Sequence, residues 1–61
     1  MNEYRVFLQS EKSWLELHKP NTLSYDIMDF DEIKARIQAI KLNDKELGKE
    51  NDYCVIKVII L

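Results

Sequence analysis

From Glu3 to Gln9 polar and apolar positions alternate, with Tyr4, Val6 and Leu8 on one side and Arg5, Phe7 and Gln9 on the other. A period of two is the signature of a strand with one buried face. Ser10 to Ser13 is polar and short enough for a hairpin loop. Trp14-Leu15-Glu16-Leu17-His18 resumes the alternation with Leu15 and Leu17 inward, which predicts a second strand. Lys19-Pro20-Asn21 breaks the chain again, because proline presets φ for a turn and asparagine tolerates the left-handed region. A third strand follows over Thr22 to Met28, with Leu23, Tyr25 and Ile27 inward.

A helix is expected to begin near Phe30. Asp29 can cap it, Glu32 stands three residues on for a capping box, and Met28 and Ile33 occupy the staple positions. Phe30, Ile33, Ile37 and Ile40 recur at spacings of three and four, a stripe expected to pack on the sheet. Glu32, Lys34, Arg36, Gln38 and Lys41 cover the other faces. Leu47 extends the stripe and Gly48 can end it, but Asn43 with Glu46 offers a second capping box, so a break at Leu42 to Asn43 is favoured. Lys49-Glu50-Asn51 is a polar loop, and Asp52 to Leu61, rich in Val and Ile, predicts a fourth strand.

The fold class is therefore α+β: βββαβ over a single domain, residues 1–61, with a four-stranded, mainly antiparallel sheet and one helix on one face. A right-handed crossover through the helix would lay strand four parallel to strand one and gives the order 3-2-1-4.

Strand four is unusual. Cys54, Ile56, Val58 and Ile60 make one apolar face, yet Tyr53, Val55, Ile59 and Leu61 make the other apolar too, with only Lys57 polar. Strands apolar on both faces are normally covered on both, and an edge strand has unpaired backbone as well. If the hairpin pairs Gln9 with Trp14, Phe7 with Glu16 and Arg5 with His18, the face away from the helix forms a patch. Arg5, Phe7, Trp14, His18, Tyr53, Val55, Lys57, Ile59 and Leu61 are the partner-binding residues expected on this reading.

Composition narrows the function. A domain of 61 residues has a thin core, and such scaffolds usually need a disulfide, a metal, a partner or dense packing. Cys54 is the only cysteine and His18 the only histidine, too few for a disulfide or a structural zinc site. The unpaired thiol fits a reducing, cytoplasmic setting. Cys54 alternates onto the inner face, where it is expected to be a buried, inert hydrophobe. The start lacks the apolar core of a secretory signal, and Val55 to Leu61 is too short and too interrupted for a membrane anchor.

The net charge of −2 without a basic run argues against duplex nucleic acid. An alternative is a single-stranded nucleic-acid binder that stacks bases on Phe7, Trp14 and Tyr53 beside Arg5, Lys57 and His18; Glu16 and Asp26 on the same predicted face weaken it. For catalysis, His18 with Ser13, Ser24 and Asp26 lacks a nucleophile elbow and an oxyanion loop. Asp26, Asp29, Asp31 and Glu32 lack the spacing of a calcium loop and suit a helix start instead. With Gly48 the only glycine, no phosphate-cradling loop exists. No enzyme and no cofactor are expected.

Tyr4-Arg5-Val6-Phe7-Leu8, Trp14-Leu15-Glu16-Leu17-His18-Lys19, Phe30 to Ile37 and Tyr53-Cys54-Val55-Ile56-Lys57-Val58 together resemble small uncharacterised proteins encoded by bacteriophages and prophages. The resemblance implies a host or phage protein as partner. The expected function is a non-catalytic protein-interaction module, homodimeric through its open sheet face and strand four.

Overall fold

Strand β1, Asn2–Gln9, forms where the alternation places it, and its inward residues Tyr4, Val6 and Leu8 are buried. The computed structural model describes the backbone of residues 1–61 and every side chain except that of Trp14.

The predicted second strand does not form. Trp14–Leu17 is a single helical turn, α1. Ser13 and Glu16 explain it: the Glu16 amide donates to Ser13 Oγ at 3.3 Å, and the Ser13 amide reaches Glu16 Oε1 at 3.5 Å, a capping box. His18 ends the turn at φ 57°, in the left-handed region. Leu15, expected inward, is exposed, whereas Leu17 packs against the core.

Strand β2, Thr22–Asp29, therefore pairs directly with β1, setting Gln9 against Thr22, Phe7 against Ser24 and Arg5 against Asp26. Leu23, Tyr25 and Ile27 face inward as predicted. Helix α2 spans Glu32–Leu47, and β3, Cys54–Ile60, pairs antiparallel with β1. The sheet has three strands in the order β2-β1-β3. The order 3-2-1-4 and the parallel strand four both fail for one reason. They counted three strands before the helix, and removing one reverses the direction in which the chain enters the last.

The helix also departs from expectation. Asp31, not Asp29, is the N-cap, accepting from the Lys34 amide at 2.8 Å. Asp29 is buried and accepts instead from the Phe30 amide at 2.6 Å and from the Gln38 side chain. No break occurs at Leu42 to Asn43; Asn43 is buried within the helix, which runs to Gly48 at φ 89°.

The largest correction concerns which face packs. Ala35, Ala39 and Asn43 are the buried residues of α2, and the stripe of Ile33, Ile37 and Ile40 lies about 100 to 160° around the helix from Ala39 at 100° per residue. Small residues suffice against the sheet because Tyr4, Tyr25 and Tyr53 supply much of the core volume beside Val6, Leu8 and Ile27.

A bulge corrects the reading of the last strand. Phe7 faces Lys57 but Leu8 faces Val55, leaving Ile56 as the extra residue. Beyond it Val58 and Ile60 share the helix side with Val6 and Tyr4, as the alternation predicts; before it the parity flips. Val55 accordingly packs against the core, Tyr53 is buried, and Cys54, opposite Gln9, is exposed rather than buried.

Candidate binding surface

The outer face of α2 carries a row of exposed large apolar residues. Ile33 is 69% exposed, Ile37 48% and Ile40 44%, and Phe30, just ahead of the cap, is 72% exposed. A shallow hollow lined by Asp31, Glu32, Ile33, Lys34 and Ile37 lies on this surface. With roughly 150 to 200 Å² for a fully exposed large apolar residue, the three isoleucines expose about 300 Å² of apolar surface. Asp44 closes the row at its C-terminal end, where its carboxylate accepts from the Asn51 side chain at 3.0 Å.

Charge around the stripe is sorted. At 100° per residue, Lys34, Lys41 and Lys45 fall within about 40° of one another on the flank past Ile37. All three are exposed, and none forms an ion pair among the described residues. On the opposite flank Arg36 lies 3.9 Å from Glu32. The acids are engaged elsewhere: Asp31 caps the helix, and Glu46 accepts from the Tyr25 hydroxyl at 3.0 Å. Burial, aided by the hydrogen-bonded Glu46, raises the Tyr25 pKa.

The residues expected to bind a partner divide. Arg5, Phe7, Lys57 and Ile59 lie together on the sheet face away from the helix, in adjacent register positions. Leu61 joins their edge, where its amide donates to the Glu3 carbonyl at 2.9 Å. Tyr53 and Val55 belong to the helix side, and the Tyr53 hydroxyl donates to the Pro20 carbonyl at 2.6 Å. His18 is exposed in the turn after α1, away from any strand. Trp14 has a helical backbone, and its side chain lies outside the described residues.

This sheet face is less open to a ligand than expected. Arg5 is held by a two-pronged ion pair to Asp26, at 2.8 and 3.0 Å. Its guanidinium hydrogen bond pulls the Asp26 carboxyl below the ordinary carboxylate range. Phe7 and Ile59 are half-buried. The β3 edge is blunted by the bulge at Ile56 and by Lys57, both devices that discourage strand addition. A second hollow, lined by Gln9, Ser10, Glu11, Asn21, Asp52, Cys54 and Ile56, is built around a 2.7 Å hydrogen bond from Ser10 to Asp52, which lowers the Asp52 pKa.

Sequence reasoning found Phe30, Ile33, Ile37 and Ile40 but placed them in the core. The competing stripe of small residues, Ala35, Ala39 and Asn43 at a spacing of four, was the available signal. No family model, curated protein or solved structure matches the chain.

Proposed function

We propose that the chain is a protein-interaction module that acts by binding rather than by catalysis, and that its binding surface is the outer stripe of α2. One observation carries this reading: Ile33, Ile37 and Ile40 stand 44 to 69% exposed along one side of α2. An apolar surface of about 300 Å² in one strip, rimmed by polar residues, is of the size that marks interaction sites. The resemblance to phage-encoded proteins agrees with a host or phage protein as the partner.

The test compares two double variants in capture from a cognate host extract, each checked for folding by circular dichroism. Ile33→Ser with Ile37→Ser is expected to lose the captured partner. Phe7→Ser with Ile59→Ser, on the open sheet face, is expected to retain it. The opposite pattern would return the interface to the sheet.

A further inference from the structure

We infer that the stripe of α2 takes an amphipathic helix from a different protein, one whose apolar seam is flanked by acidic residues. This rests on the proposed binding role of the stripe and adds the chemistry of its occupant.

Spacing argues for a helix. Ile33, Ile37 and Ile40 follow one another at four and three residues, the alternation that presents knobs and holes to a second helix. Area agrees: non-obligate interfaces are about 57% apolar, so an apolar strip of about 300 Å² implies roughly 500 Å² on each partner. Two such faces give about 1,000 Å², the size a specific interface should reach.

Charge selects the partner. Lys34, Lys41 and Lys45 border the stripe without an ion pair among the described residues. Paired through its own α2, a second copy does not supply the missing acids. In a two-fold pair of antiparallel helices each flank faces itself, so lysines would oppose lysines. Running parallel, the lysines would meet Arg36 and a Glu32 that Arg36 already engages, with the two macrodipoles aligned. A helix with Glu or Asp beside its seam satisfies all three cations, and by steering it raises the rate of encounter as well.

The probe is a three-heptad synthetic peptide with Leu and Ile along the seam and Glu at both flanking positions, which keeps it from pairing with itself at neutral pH. A Lys-flanked peptide is the control, and binding to the intact chain is read by fluorescence anisotropy. The acidic peptide is expected to bind at least about tenfold more tightly than the control, and to weaken by a similar factor in high salt. Lys34→Glu with Lys41→Glu should reverse the preference, and Ile33→Ser with Ile37→Ser should abolish binding of both.

Equal affinity for the two peptides, or none for either, would overturn the inference. So would a stripe-dependent dimer in sedimentation velocity, or tighter binding to vesicles containing phosphatidylserine. Partner capture that depends on the stripe, without acidic preference, would overturn this inference alone and leave the binding role standing.

Discussion

Because α2 turns its isoleucines outward, a polar substitution at Ile33 should leave the domain nearly as stable as before. Ile33 is 69% exposed, so about a third of its surface is out of water in the folded chain. Full burial of an isoleucine is worth about 2 to 3 kcal/mol, which makes the loss in Ile33→Ser about 1 kcal/mol or less. Serine and isoleucine differ little in helix propensity. If the stripe instead packed on the sheet, the same change would cost about 3 to 5 kcal/mol, most of the stability of so small a domain. Ala39→Leu supplies the converse. Ala39 has no exposed surface, and forcing extra carbon between helix and sheet should cost about 1 to 3 kcal/mol. Urea unfolding followed by circular dichroism reads both. With a slope of about 1 kcal/mol per molar, Ile33→Ser should lower the midpoint by at most about 1 M and Ala39→Leu by more. The reverse ranking would refute the orientation of the helix, and with it the binding surface.

Three further outcomes follow from local geometry. Gly48 ends α2 at φ 89° and ψ 153° with nothing within 4 Å of an added Cβ, so Gly48→Ala should destabilise by about 1 to 3 kcal/mol through backbone strain alone, again read in urea. Asn43 is buried, and its side-chain nitrogen has no partner among the described residues; Asn43→Leu, similar in size and apolar, should raise the thermal midpoint, by about 1 kcal/mol of stability. Asp26 and Asp52 both have depressed pKa values, held down by hydrogen bonds from Arg5 and Ser10. A carboxylate whose folded pKa lies below its unfolded value contributes stability above the unfolded pKa and loses it as pH falls through the folded one. The urea midpoint should therefore drop as pH falls from the ordinary carboxylate range near 4, and carboxyl NMR shifts in Arg5→Ala should show Asp26 titrating higher.

How legible the chain is depends on whether one reading of a segment excludes the others. Tyr4-Arg5-Val6-Phe7-Leu8 alternates without competing signals, and β1 forms as read. Trp14 to His18 alternates as well, but Ser13 and Glu16 box a single helical turn, and local capping won over a five-residue pattern. Tyr53 to Leu61 is apolar in both parities, so the pattern holds no information about a bulge. Only pairing with β1 decides that Ile56 is the extra residue and sends Cys54 outward. The apparent break at Asn43 does not form because the second half of its capping box is engaged elsewhere: Glu46 accepts from the Tyr25 hydroxyl, and Asn43 itself is buried within α2.

Helix orientation was the hardest feature to read, because α2 carries two faces that each suit a core. One is made of Ile33, Ile37 and Ile40, the other of Ala35, Ala39 and the polar Asn43. Hydrophobicity alone ranks the first face inward. Volume reverses the ranking, since the sheet already presents Tyr4, Tyr25 and Tyr53 along with Val6, Leu8 and Ile27, and a close-packed interior has room over them only for small side chains. The consequence is energetic. About 300 Å² of apolar surface, worth up to about 7 kcal/mol by area, contributes nothing to the isolated fold. That is as large as the net stability of a typical domain. In the isolated chain water meets this surface, so the gain is realised only when another apolar face covers it. The row of lysines beside it, without an ion pair among the described residues, makes an acid-flanked face the better cover.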